Sequence, residues 1–268
     1  MGLEAQFSEP AGSSTTVGMP TPVVFSWSAG KDSAFGLWTL LGDPGFEVRA
    51  LLTTLTEGYN RVSMSGVRDE LLDRQADALG LPLIKVWIPP QCANEVYQQR
   101  MGSTLAAAEF RGIKHVAFAD LFLEDVRTYR EGRLAGAGMQ RVFPLWGRDT
   151  AALALEMIAG GFRAIVVCVD PRALDPSFAG RAFDQAFITD LPPGVDPCGE
   201  NGEFHTWIPM PIPQSATPSA ATPRLPRNAK GAKKAERRAA SINDRRPQRS
   251  NHRPKMTADT VAVPMASA

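Results

Sequence analysis

Val23-Val-Phe-Ser-Trp-Ser-Ala-Gly-Lys-Asp-Ser33 is the stretch that decides the fold. Its first half, VVFSWS, is a short apolar run of the kind a buried strand provides. Its second half, SAGKDS (28–33), opens directly into Asp32–Leu41, where Phe35, Leu37, Trp38 and Leu41 supply the apolar stripe of a helix. A helix start carries N–H groups without intrahelical partners and a partial positive charge. A strand, a small-residue loop and a helix in that order therefore predict an anion site, typically for phosphate. Gly30 permits close backbone approach, Lys31 adds a full charge, and Ser28 and Ser33 offer hydroxyls near Ser26. The string is not a Walker A loop: Asp32 rather than Ser or Thr follows Lys31, and Phe25 stands where that pattern needs its first glycine. It is not GxGxxG either. A plain strand-to-helix turn with an exposed lysine is the competing reading.

Working outward, the same alternation continues. Val48–Leu55, Pro82–Ile88, His115–Ala119 and Ala164–Val169 read as further strands. Val67–Leu79 (with Leu71, Leu72, Gln75, Ala76 and Leu79 at helical spacing and Gly80 as stop), Asn94–Phe110, Leu121–Glu131 and Thr150–Ala159 read as helices. This pitch predicts βαβ units and an α/β fold built on a doubly wound parallel sheet, with ligands outside the carboxyl ends of the strands. We expect a nucleotide-binding domain over 21–120 and a smaller α/β substrate domain over 121–212.

Composition fits that reading. The 268 residues are 44% hydrophobic and 21% charged, ordinary for a globular protein with a sizeable core. The net charge of +1 hides a split: 12 basic and 3 acidic residues lie from Gln214 onward, leaving 17 basic and 25 acidic before it. The acidic body gives no reason to expect nucleic acid. The tail (213–268), rich in Pro, Ala, Ser and Arg, and the leader (1–20) lack the apolar content to offset chain entropy and are expected to be disordered. A solvated extension is the plain reading of the tail; Lys230–Arg238 leaves open a weak contact with nucleic acid. No apolar run reaches membrane-spanning length and no secretory pattern opens the chain, so a cytoplasmic, non-membrane protein is expected. Cys92, Cys168 and Cys198 are widely spaced and form no CxxC pair.

SAGKDS resembles the SGGKDS signature of the PP-loop ATP pyrophosphatases, with Ala29 in place of a glycine. Asp196–Thr206 (DPCGENGEFHT) looks like the GExGExxT signature of the diphthine–ammonia ligase family, and 66–83, 118–131 and 143–150 resemble that family too, its bacterial branch most closely. The resemblance spans about 23–207. It implies an adenine nucleotide alpha hydrolase-like (HUP-type) domain that cleaves ATP between the α and β phosphates, activates a carboxylate as an adenylate and lets ammonia displace AMP. In the family, that carboxylate is diphthine on elongation factor 2. Here the acceptor, small or protein-borne, stays open.

On that resemblance Ser28, Ala29, Gly30, Lys31, Asp32 and Ser33 hold ATP, with Lys31 and Asp32 the catalytic pair, and Leu52 and Thr53 offer backbone groups to adenine. Asp120, ending a strand beside the first, is a magnesium ligand or a helix cap. Glu200 and Glu203 suit an ammonium ion, a cationic substrate group or Mg²⁺, or form a solvated acidic loop; His205 follows as a shuttle or a structural histidine. Arg148, near Arg127, Tyr129, Arg130 and Arg133, suits a carboxylate or an ordinary surface ion pair. Cys168 reads as buried and inert, and a sulfur-transfer role for Cys198 would need a reactive thiol. ATP and Mg²⁺ are the expected cofactors. A PP-loop tRNA thiolase or lysidine-type enzyme, and a nucleotide-binding protein without turnover, are the alternatives.

Overall fold

A computed structural model describes residues 19–110, 112–213 and 261–262. The leader and almost all of the basic tail, including Lys230–Arg238, lie outside the described residues; within the tail, Val261–Ala262 is a short strand (β9).

The main sheet contains β1 (Thr21–Ser26), β2 (Phe46–Thr56), β3 (Arg61–Val62), β4 (Leu83–Ile88), β5 (His115–Ala117) and β6 (Gln140–Val142). Parallel pairs run β4–β2–β1–β5–β6, and β3 adds a two-residue antiparallel hairpin to the end of β2. β1 is covered on both faces, which is why its centre, Val23–Phe25, is apolar without alternation. Successive residues take opposite sides. Val23, Phe25, Leu51 and Leu55 join one core cluster with α1 (Lys31–Leu41) and α2 (Asp69–Leu79). Val24, Ala50, Leu52 and Val116 join another with Leu105 of α3 (Asn94–Phe110) and Leu134 of α4 (Glu124–Gly136).

After α5 (Thr150–Ala159), capped by the Asp149 carboxylate on the Ala152 amide, the chain forms β7 (Ile165–Val169), α6 (Gln185–Asp190) and β8 (Phe204–Trp207). β7 leaves the parallel pattern: it pairs antiparallel with β8 and with β9 in a second sheet. Its Val166 and Val167, with Phe183, Phe187 and Phe204, share the hydrophobic cluster of Phe25 and Phe35, so the second unit packs on the α1 side of the first through one continuous core.

Two boundaries differ from the sequence reading for identifiable reasons. α2 begins at Asp69 rather than Val67, because the Val67 carbonyl accepts from the Val62 amide and holds that segment in the hairpin. α4 begins at Glu124 rather than Leu121, because the Leu121 amide donates to the Glu200 carboxylate, 2.7 Å away. Among the described residues, no helix is long and apolar enough to cross a membrane.

Candidate active site

β1 is central, with β2 on one side and β5 on the other. The loop leaving its carboxyl end therefore sits where the strand order reverses, the place at which α/β sheets bind ligands. Within the loop a closed ring of hydrogen bonds fixes the backbone. Ser28 Oγ donates to Ser33 Oγ (3.0 Å), Ser33 Oγ donates to the Gly30 carbonyl (2.9 Å), and the Gly30 amide donates back to Ser28 Oγ (3.3 Å). Ala29 is fully buried at φ 68°, a left-handed conformation that costs an L-residue about 1–2 kcal/mol. The first intrahelical bond of α1 is Ala34 N–H to Gly30 C=O, so the Asp32 and Ser33 amides precede it and have no helical carbonyl to meet. Of the hexapeptide, Ser28 is exposed and Asp32 half-buried; the rest is buried.

The second motif lies against the first. A Cβ on Gly30 would come 3.0 Å from the Thr206 carbonyl oxygen, so the glycine is required by β8 itself. The Lys31 amide donates to Thr206 Oγ1 (3.0 Å) and the Ile208 amide to the Ala29 carbonyl (3.0 Å). Gln75 of α2, 1% exposed, completes the junction. It accepts from Trp27 Nε1 (3.0 Å) and donates to the carbonyls of Ile208 (2.7 Å) and Ala29 (3.4 Å).

Lys31 is also 1% exposed, so its ammonium does not reach outward as a surface phosphate ligand would. It donates to both Asp32 oxygens (3.0 and 2.8 Å) and to the Cys198 carbonyl (2.5 Å), above the rings of Phe183 and Phe204. Burial opposes that charge, but Asp32, with smaller help from Cys198 and Asp196, more than offsets it and holds the Lys31 pKa above its ordinary value.

The turn 196–203 is braced from within. Asp196 Oδ2 accepts from the amides of Cys198 (3.2 Å) and Glu200 (2.9 Å). Glu203 Oε1 accepts from the Asp196 amide and from Asn201 Nδ2, each at 3.0 Å. Gly199, at φ 71°, has no room for a Cβ, which would lie 2.9 Å from the Phe204 carbonyl. Glu203 is thus a buried brace. Glu200 points the other way, to the Leu121 amide beyond β5. Burial, reinforced by Asp32 and Asp120 against the opposing pull of the Leu121 amide and Lys31, raises the Glu200 carboxyl to about 7. His205, in β8, is held below its ordinary pKa by burial and by the Lys31 charge, against the opposing pull of Asp32.

Asp120 lies near enough to Glu200 to help raise its carboxyl. Asp120 is gripped by Arg130, whose Nε lies 2.6 Å from Oδ2 and whose NH2 nitrogen donates to Oδ1 at 3.1 Å. Asp32 is likewise taken by Lys31, and among the described residues no three His, Cys, Asp or Glu side chains converge as a metal site. The carboxylate that a metal role for Asp120 would use is thus the one that Arg130 holds. Arg148 pairs with Glu156 on α5 and lies over Phe35. Arg127 and Arg130 lie on the rings of Trp146 and Phe118. Leu52 accepts from the Trp27 amide (2.7 Å); neighbouring Thr53 is buried with its hydroxyl unpartnered among the described residues. Burial pushes the Cys168 thiol up to about 11 and Cys198 to about 12, so neither is a ready thiolate.

Residues 21–137 match the family model described as diphthamide synthase N-terminal domain, and 149–212 the one described as diphthamide synthase C-terminal domain. The chain belongs to this family. Family relatives bear the name diphthine–ammonia ligase. That of Danio rerio is 28% identical over 204 residues, covering 67% of this chain and 78% of the relative. That of Homo sapiens is 25% identical over 203 residues, covering 67% and 75%. The two matched regions of the diphthamide synthase family contain the two motifs that meet at Gly30 and Thr206. Gln75 and Asp196 were not singled out by sequence as site residues. Gln75 hides in a helical apolar pattern, and only the Asx-like spacing from Asp196 to Gly199 hints at its turn.

Proposed function

We propose that this chain is an ATP-dependent ligase that joins ammonia to a carboxylate and releases AMP and pyrophosphate. The observation that carries the reading is the contact between the loop 28–33 and the turn and strand 196–206, which makes one site of a nucleotide motif and an acidic motif. The family relatives named diphthine–ammonia ligase support it.

In this reading the first-turn amides of Asp32 and Ser33 receive the triphosphate, joined by the exposed Ser28 hydroxyl once it turns its proton from Ser33 Oγ, and the oriented N–H dipoles stabilise charge without reorganising. Leu52 and Thr53 flank the adenine, and the Thr53 hydroxyl finds its partner there. A carboxylate oxygen of the acceptor attacks the α-phosphorus, the bond to the bridging oxygen breaks, and pyrophosphate leaves. Ammonia then attacks the acyl carbon; AMP departs with the former carboxylate oxygen, and the nitrogen loses one proton. Most of the acceleration comes from alignment. Asp32 is paired with Lys31 and Asp120 with Arg130, and Asp196 and Glu203 are taken up inside the turn, whereas Glu200 reaches out of it with the Leu121 amide as its partner. Glu200 suits the entering ammonium. When bound with ATP, Mg²⁺ would neutralise phosphate charge, held by phosphate oxygens, water and at most one or two carboxylates, of which Asp120 is the candidate.

Incubation with ATP and ¹⁵N-ammonium, against protein and small-molecule fractions of a cell extract, tests the reading. ATP-dependent gain of ¹⁵N in an amide is expected. No gain in any fraction, with ATP consumed, would overturn it.

A further inference from the structure

Resting on that reading, we propose that Lys31 is a positioning residue that ties the ATP loop to the turn carrying Glu200, and is not itself a ligand of the triphosphate. An ammonium has three N–H donors and no other means of bonding. At Lys31 they are directed to both Asp32 oxygens and to the Cys198 carbonyl, in a pocket closed by Phe183 and Phe204, whose ring centroids lie 5.1 and 5.3 Å from Nζ. Ring faces attract a cation, so the aromatic walls favour the charge where it is. To meet a phosphate, Nζ would have to abandon a buried carbonyl and leave the rings for water. The backbone of the same residue already faces the second motif, through its amide on Thr206 Oγ1.

The consequence runs from Cys198 to Glu200. Their amides share Asp196 Oδ2, so the segment moves as one piece. Its far end is fixed where Glu200 Oε1 accepts from the Leu121 amide. Lys31 supplies the near-end anchor. The groups left for phosphate, the Asp32 and Ser33 amides and the Ser28 hydroxyl, do not depend on Nζ.

Full-length Lys31→Met and Lys31→Arg separate the two roles, with three readouts. These are ATP affinity by calorimetry, alkylation of Cys198 by N-ethylmaleimide with half-exposed Cys92 as internal reference, and pyrophosphate release against ammonium concentration at saturating ATP. For Lys31→Met we expect ATP affinity within about threefold of native, Cys198 alkylation faster by about tenfold or more, and turnover at limiting ammonium lower by about tenfold or more. Lys31→Arg, which keeps the charge but not the compact head, restores part of the Cys198 protection and of the ammonium response. ATP affinity weakened more than about thirtyfold, with Cys198 alkylation unchanged, would make Lys31 a phosphate ligand and overturn the proposal. If Lys31→Met does not fold, Lys31→Arg decides: Cys198 as protected as in the native chain, with ATP binding lost, overturns it. If the native chain releases no pyrophosphate, the ligase reading falls, while Cys198 protection and ATP affinity still judge Lys31.

Discussion

Gly30 lies flush against the backbone of Thr206: a side-chain carbon at residue 30 would stand 3.0 Å from the Thr206 carbonyl oxygen and 3.3 Å from its hydroxyl. The glycine that a phosphate loop is expected to keep for its ligand is here also the contact between two motifs far apart in sequence. Gly30→Ala forces the loop off β8. We expect it to lower stability by about 1–3 kcal/mol and to weaken ATP binding, checked by urea unfolding and calorimetry. Native stability and affinity together would mean that the contact is slack.

Gln75→Leu removes a hub. Trp27 Nε1 and the carbonyls of Ala29 and Ile208 lose their partner in a place water does not reach. Orphaning buried polar groups costs about 1–3 kcal/mol each, and partial relaxation gives an expected total of about 2–4 kcal/mol. Chemical denaturation measures it. A change under about 0.5 kcal/mol would show that these groups find other partners.

Glu200 predicts an uncommon pH dependence. Its carboxyl titrates near 7 in the fold against an ordinary 4.5, so between those values the folded chain holds a proton the unfolded chain has released. The sign follows: this group's contribution to stability falls as pH rises from 4.5 to 7 and stays low above. Glu200→Gln, which keeps an acceptor for the Leu121 amide, should be more stable than native at pH 8 by about 1–2 kcal/mol, allowing for partial solvent screening. The gain should vanish by about pH 4.5, and ammonium-dependent turnover should drop. A variant less stable than native at pH 8 contradicts this.

His205 acts in the opposite direction. Its pKa is depressed, so below the ordinary value of 6.5 the unfolded chain takes up a proton that the folded chain refuses, and stability is lost as pH falls through that region. His205→Gln should flatten the acid side of the stability profile below pH 6.5, measured by melting temperature; an unchanged acid slope would show that His205 is not its source.

The alternation of strands and helices, and the loop after β1, were legible because they are local. Val23, Val24 and Phe25 are apolar in succession because both faces of β1 are covered, and the stripe of α1 follows the helical period. The match to GExGExxT pointed to a segment that lies against the loop after β1. What sequence did not disclose was which way its side chains face. Glu200 and Glu203 look equivalent in the string, yet one reaches Leu121 and the other braces Asp196. Lys31 reads as an outward cation and is in fact buried on the carbonyl of a residue 167 positions away. Such long-range contacts leave no periodic trace. β3, β6 and β8, at two to four residues, were too short to read. Ala29 is the reverse case: a glycine is the natural occupant of its left-handed backbone, and the departure from SGGKDS falls at that residue.

Adenylate transfer requires ATP to break between its α and β phosphates. ³¹P NMR of ATP incubated with the full chain, Mg²⁺, ammonium and the extract fraction that accepts ¹⁵N tests it most directly. AMP and pyrophosphate are expected in equal amounts, formed over many turnovers when ammonium and acceptor are both present. ADP with inorganic phosphate as the products would contradict it.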